Sequence, residues 1–220
     1  MSVESDTGES DIGEGDGGGS SAVESSAVES SGGASRGGGS NSGVSGEAAR
    51  TRTITWADPR ALAEAGRGLS GLEYLQKIVA GELPPPPIGA LMNFGLAELG
   101  EGQAVFTVAP AEYHYNPIGV VHGGLAATLL DSAMGCAVHT TLPAGVGYTT
   151  LEIKVNYVRP LTVETGEVRC EARVIHVGGR TATAEGRVLD GEGRLYAHAT
   201  TTCLIFRPRR HSPPPPDKRA

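Results

Sequence analysis

Residues 116–135 read NPIGVVHGGLAATLLDSAMG: a loop carrying Asn116 and His122, two glycines, and an apolar helical run interrupted by one carboxylate, Asp131. The helix spans about Gly123 to Thr140, with Pro143 beyond it, and is the most hydrophobic in the chain. Leu125, Leu129, Ala133 and Ala137 form one stripe at i, i+4; Ala126, Leu130, Met134 and Val138 form the stripe beside it. Together they are wide enough to lie in the concave face of a curled sheet. Thr128, Asp131, Ser132, Gly135 and His139 share the remaining face, which is narrow and mostly small. Two of its features oppose stability. A glycine inside a helix costs on the order of 1 kcal/mol against alanine, and an unpaired buried carboxylate costs more.

The flanking sequence supplies the sheet. TLEIKVNYV alternates, with Leu151, Ile153, Val155 and Tyr157 on one face and Glu152, Lys154 and Asn156 on the other. EVRCEARVIHV, TATAEGRVLD and LYAHATTTCLIF follow, separated by GGR and DGEGR. Upstream, MNFGLAEL and QAVFTV flank the turn GEG at 100–102 and read as a hairpin. Strands joined by turns this short are antiparallel, because a parallel return needs a dozen residues or more. GLEYLQKIVAG adds a short amphipathic helix before the Pro84–Pro87 run. The expected class is α+β, one helix among about six antiparallel strands, with a short N-terminal helix.

Composition divides the chain into three: a Gly/Ser/Glu-rich tail over 1–50, a folded domain over 51–207, and a Pro/Arg-rich tail over 208–220. The first segment, which contains SSAVESSAVESS, has too little apolar surface to offset the ordering of its backbone, so it reads as disordered. It holds nine of the 25 acidic residues and two of the 18 basic ones, leaving the remainder balanced at 16 of each. A neutral domain gives no electrostatic case for nucleic acid or an anionic membrane. Cys136, Cys170 and Cys203 are odd in number and widely spaced, which suits a reducing compartment; with no signal-peptide pattern and no run of eighteen apolar residues, the reading is a soluble cytoplasmic protein. The histidines show no metal-ligand spacing, so neither metal nor cofactor is expected.

The first turn of a helix carries N–H groups without intrahelical partners and a partial positive charge. Without a Cβ at Gly123 or Gly124, a ligand oxygen can approach those amides; HGG also fits a plain flexible start to the helix. Asp131 on the same helix adds the second requirement of acyl transfer to water, a carboxylate to attack or to activate water. Yet the two lie eight residues apart, roughly 12 Å along the axis and about 80° around it. One chain cannot aim both at one carbonyl. Two such helices packed antiparallel across a twofold axis can.

The motifs N-P-x-G-x-x-H-G-G, L-x-D-S-A at 129–133, N-Y-V-R-P at 156–160, G-G-R at 178–180 and A-x-A-T-T-T at 197–202 occur in order between Gly71 and Ile205. In this the chain resembles the hotdog-fold acyl-CoA thioesterases of the phenylacetate-pathway (PaaI-like) type. The resemblance implies Asp131 as nucleophile or general base, the Gly123 amide polarising the thioester carbonyl, Asn116 and His122 positioning carbonyl, water or loop, and Thr150 assisting the water. It further implies a homodimer or homotetramer with shared active sites and acyl-CoA along the subunit boundary. Gly124, Arg159 and Arg180 are candidates for substrate contact, the arginines because guanidinium suits phosphate. Two alternatives stand beside thioester hydrolysis: a non-catalytic acyl-CoA-binding module, and an enoyl-thioester hydratase. The second is weakened because fourteen residues beyond His114 lies Thr128, which is no acid.

Overall fold

The computed structural model describes residues 49–207. Both expected tails therefore fall almost wholly outside the described residues, and the expected 51–207 domain falls within them. Its elements are helices α1 (Pro59–Ala65), α2 (Gly71–Val79) and α3 (Pro87–Met92), strands β1 (Phe94–Gly100) and β2 (Gln103–Val108), helix α4 (Gly123–His139), and strands β3 (Gly147–Tyr157), β4 (Val168–Val177), β5 (Thr181–Leu189) and β6 (Leu195–Phe206). The six strands form one sheet in the order β1-β2-β4-β5-β6-β3, antiparallel throughout. Since β2 lies second from one edge and β3 forms the other edge, the chain between them must cross the sheet. α4 makes that crossing and touches all six strands.

Both stripes expected of α4 are buried, with Leu129, Leu130, Ala133, Met134, Ala137 and Val138 fully enclosed. Each buried leucine contributes roughly 2 kcal/mol through area removed from water. Opposite them the sheet is small: Ala182 and Ala184 are fully buried, and a Cβ on Gly186 would lie 3.0 Å from Leu130 Cδ2 and 3.2 Å from Met134 Cγ. Small residues on β5 thus set how closely the helix approaches. Among the described residues no helix is long and apolar enough to cross a membrane.

The expected short helix is α2, opened by a capping box in which the Glu73 N–H donates to Ser70 Oγ and the Ser70 N–H donates to Glu73 Oε2. Two further helices went unanticipated. The proline run read as a stop after α2 also starts α3, with Pro87 in its first turn, where a missing N–H costs nothing. α3 ends on Asn93 in the left-handed region, φ 57°. α1 begins in the same way at Pro59, capped by Asp58, whose carboxylate accepts from the Arg60 N–H at 2.8 Å.

The alternation expected along β3 is corrected at one point. Ile153 and Val155 pack on the core, but Leu151 and Tyr157 are each 57% exposed. Thr150 pairs with Cys203 and Glu152 with Thr202, so Leu151 is an extra residue, a β-bulge. Beyond it Ile153 and Val155 face Thr201 and Ala199; before it Tyr148 and Thr150 face Ile205 and Cys203, and all four partners are buried. Inward-facing positions therefore change from even to odd numbers across Leu151. Strict alternation would have turned Thr150 outward.

Candidate active site

The start of α4 is fixed by the loop before it. Asn116 Oδ1 accepts from the N–H groups of Ile118 at 3.0 Å and Val120 at 3.5 Å, while the Asn116 N–H donates to Val120 O at 2.9 Å. The His122 N–H donates to His114 O at 2.8 Å and the Val121 N–H to Leu161 O at 3.0 Å. Buried His114 anchors this end: Nδ1 accepts from the Ala111 N–H, so the Nε2 proton is directed to Met92 O at 2.9 Å. That pattern requires a neutral ring, and burial lowers its pKa accordingly.

His122 is the N-cap of α4, and its Nδ1 accepts from the Gly124 N–H at 2.8 Å. The Gly124 amide is thereby occupied within the chain, which removes it as the substrate donor that the sequence suggested. The Gly123 N–H makes no hydrogen bond among the described residues. Gly123 lines a cavity of about 360 Å³ together with Asn116, His122, Tyr157, Arg159, Leu161 and Tyr196, among others. A Cβ on Gly123 would stand 3.1 Å from the Tyr157 ring. Arg159, at the cavity rim, donates from NH1 to Leu195 O at 2.6 Å. Tyr157 lies within the N-Y-V-R-P motif but was placed only on the apolar face of a strand; Tyr196 carried no signal beyond its place in a strand.

Asp131 lies elsewhere. The Thr150 hydroxyl donates to Asp131 Oδ1 at 2.8 Å, joining the middle of α4 to β3. Around the pair are Tyr148 and Cys203, whose acidity is suppressed first by burial and further by the Asp131 charge. Cys136 behaves likewise, pushed up to about 12 by burial and by Asp131. All three cysteines are free thiols. The helix face beside Asp131 is less open than its small residues implied: a Cβ on Gly135 would lie 2.9 Å from the Tyr148 hydroxyl, so this chain already fills that place. The Thr128 hydroxyl turns back to Gly124 O at 2.8 Å.

The candidate residues therefore fall into two groups. Asn116, His122, Gly123 and Arg159 share the cavity at the start of α4; Asp131 and Thr150 form a separate pair outside its lining. Arg180 joins neither. It sits in the turn between β4 and β5, beside Thr181, which pairs with Leu204. Tyr157 pairs with Ala197, seven residues along β6 from Leu204, a distance of roughly 23 Å at strand rise. Within one chain Arg159 and Arg180 cannot grip the same phosphate group.

A six-stranded antiparallel sheet curled around one long helix, with an open amide at the helix start, defines the hotdog class. Residues 118–197 match the family described as the thioesterase superfamily. A conserved protein of Pseudomonas aeruginosa is 34% identical, with 56% of this chain and 95% of that one covered, at a TM-score of 0.52. A protein of Ralstonia eutropha JMP134 assigned as a thioesterase related to phenylacetic acid degradation is 26% identical over 60% of this chain and 98% of its own, at a TM-score of 0.55. The chain belongs to the thioesterase superfamily, in its phenylacetate-pathway-like branch. Among curated relatives, a Halobacterium salinarum protein assigned as an esterase is 42% identical over 88 residues, or 39% of this chain. The 1,4-dihydroxy-2-naphthoyl-CoA hydrolase of Escherichia coli K12 is 29% identical over 90 residues, or 41% of this chain. The chain spans 56% and 65% of the lengths of these two relatives.

Proposed function

We propose that this protein hydrolyses acyl-CoA thioesters at sites built by two copies of the chain. The observation that carries the reading is the partition just described: a free helix-terminal amide in a cavity, and a carboxylate held by a hydroxyl outside that cavity's lining. Strand β3, at the sheet edge, supplies the means of bringing them together. Pairing of β3 with β3 of a second copy would continue the sheet and set the two α4 helices antiparallel, so that Asp131 and Thr150 of one approach Asn116, His122 and Gly123 of the other.

In such a site the thioester carbonyl oxygen accepts from the Gly123 N–H, which gains strength as negative charge develops on that oxygen. Asn116 holds the loop, and His122, committed at Nδ1, lines the cavity. Thr150 occupies Asp131 Oδ1 and leaves Oδ2 to act, by attacking the carbonyl carbon or by taking a proton from the attacking water. By the first route the C–S bond breaks to leave a mixed anhydride on Asp131, which water then hydrolyses to the free acid and the regenerated carboxylate. By the second, water adds to the carbonyl and the C–S bond breaks to give the free acid directly. In both, the CoA thiolate leaves and the proton lost by water goes to it. Arg159 at the rim suits a phosphate of coenzyme A. No cofactor is required.

The test is complementation. Asp131→Asn and Asn116→Ala homodimers should each lose at least about a hundredfold in thiol release from acyl-CoA esters. Co-expressed in equal amounts, half of the dimers are mixed, each with one doubly damaged and one intact site. Activity should recover to about a quarter of wild type. Recovery no better than the mean of the two variants, with mixed dimers confirmed by differential tags, refutes the shared site; a fully active Asp131→Asn refutes the chemistry.

A further inference from the structure

The A-x-A-T-T-T run at 197–202 has no place in the chemistry above, yet it lies directly across from the β3 bulge. The Thr201 hydroxyl donates to Glu152 O at 2.7 Å, and Thr201 is 2% exposed. Its neighbour Thr202 points the other way, donating to the Glu152 carboxylate at 2.9 Å on the exposed side. The bulge is what reverses the parity of β3, and the reversal is what turns Thr150 inward to Asp131. Where an extra residue interrupts a ladder, its carbonyls lose regular partners, and a buried one without a partner is unfavourable.

We infer that Thr201 is a positioning residue for hydrolysis: by holding the carbonyl at the β3 bulge it fixes the parity that presents Thr150 to Asp131. The inference rests on the proposed roles of Asp131 and Thr150. Thr201 touches no substrate; it acts two residues removed, through the backbone of a neighbouring strand. The sheet would form without it, but a β3 that relaxed toward regular pairing would turn Thr150 away from α4 and present Leu151 in its place.

Thr201→Val keeps the shape and removes the donor. Its kcat should fall about tenfold or more with KM within about twofold, at unchanged circular dichroism and oligomeric state; Thr201→Ser should restore kcat to within about threefold of wild type. Thr202→Val, on the exposed side, should match wild type. The deciding measurement is a double-mutant cycle. On a Thr150→Val background, Thr201→Val should lower kcat no further, because the group it positions is already gone. Should Thr201→Val fail to fold, Thr201→Ala, which adds no methyl group, enters the cycle instead. Equal losses from the Thr201 substitution with and without Thr150, or a wild-type kcat in the single variant, overturn the inference. If Asp131→Asn is inactive while Thr201→Val is fully active, the inference alone fails; if Asp131→Asn is active, the proposed chemistry itself has failed.

Discussion

Gly123→Ala separates what the first glycine of α4 does for stability from what it does for chemistry. Gly123 has no positive φ, so alanine can take its conformation without backbone strain. Reduced freedom of the unfolded chain should then stabilise the variant by roughly 0.4–1 kcal/mol. Against this, the new Cβ would lie 3.1 Å from Tyr157 Cε1 and Cζ and 3.4 Å from its hydroxyl, a few tenths of an ångström too close. Tyr157 is 57% exposed at the end of an edge strand, and its ring can swing outward by that amount. The two effects nearly cancel, leaving a net change within about 1 kcal/mol. The chemistry should not escape. The methyl group stands beside the one free amide of the helix start, and the displaced ring narrows the cavity it faces. A loss of about 1.4 kcal/mol or more in transition-state stabilisation is a tenfold or greater fall in kcat. Urea denaturation at fixed protein concentration and steady-state thiol release measure the two halves. A variant with wild-type kcat would refute the reasoning that position 123 must stay bare for the substrate oxygen to reach its amide, and a stability loss above about 2 kcal/mol would show that Tyr157 is not free to yield.

Gly71→Ala should behave in the opposite way. Its Cβ would fall 1.9 Å from His139 O, where α2 docks through the Gly71 N–H donating to Leu142 O at 3.0 Å, so a loss of about 2 kcal/mol or more in chemical denaturation is expected, with Gly95→Ala, which meets nothing within 4 Å, as the silent control. Acid titration should expose Asp190: burial opposes its charge, but hydrogen bonds from the Arg194 side chain and N–H, the Glu192 N–H and the Tyr196 hydroxyl hold its pKa down at about 2. A carboxyl depressed in the folded state contributes stability that is complete above about pH 4 and is lost as pH falls toward 2. Asp190→Asn should therefore be less stable than wild type at neutral pH, and the gap should close over that window in denaturation monitored by circular dichroism.

How much could be read from the sequence depended on whether one residue's environment sufficed. The two stripes of α4 and the places of the strands along the chain followed from periodicity, because burial of one face is a local property of spacing. The separation of Gly123 from Asp131 was equally legible, since helix geometry alone spaces them. Leu151 was misread because a bulge breaks the period of two at a single residue, and the hydroxyl that bonds beside it, from Thr201 to Glu152 O, comes from forty-nine positions away in sequence. α3 was missed because proline both ends and begins helices. Gly124 was taken for a donor because nothing in HGG tells that the preceding histidine folds back on it. Arg180 matched a motif, but its distance from Arg159 depends on β6 register, which spacing does not give.

The bulge at Leu151 also bears on which chains can lie beside this one. An open edge eleven residues long is a template on which any extended segment could add, and so an aggregation hazard. β3 interrupts that template near its middle with an unpaired residue and twist, and lines its outward positions with Glu152, Lys154 and Asn156. A flat apolar strand finds neither a continuous ladder nor a matching surface there. The kink that aims a hydroxyl at a carboxylate on the inside thus serves on the outside as a gatekeeper, restricting the edge to a partner whose own irregularity complements it.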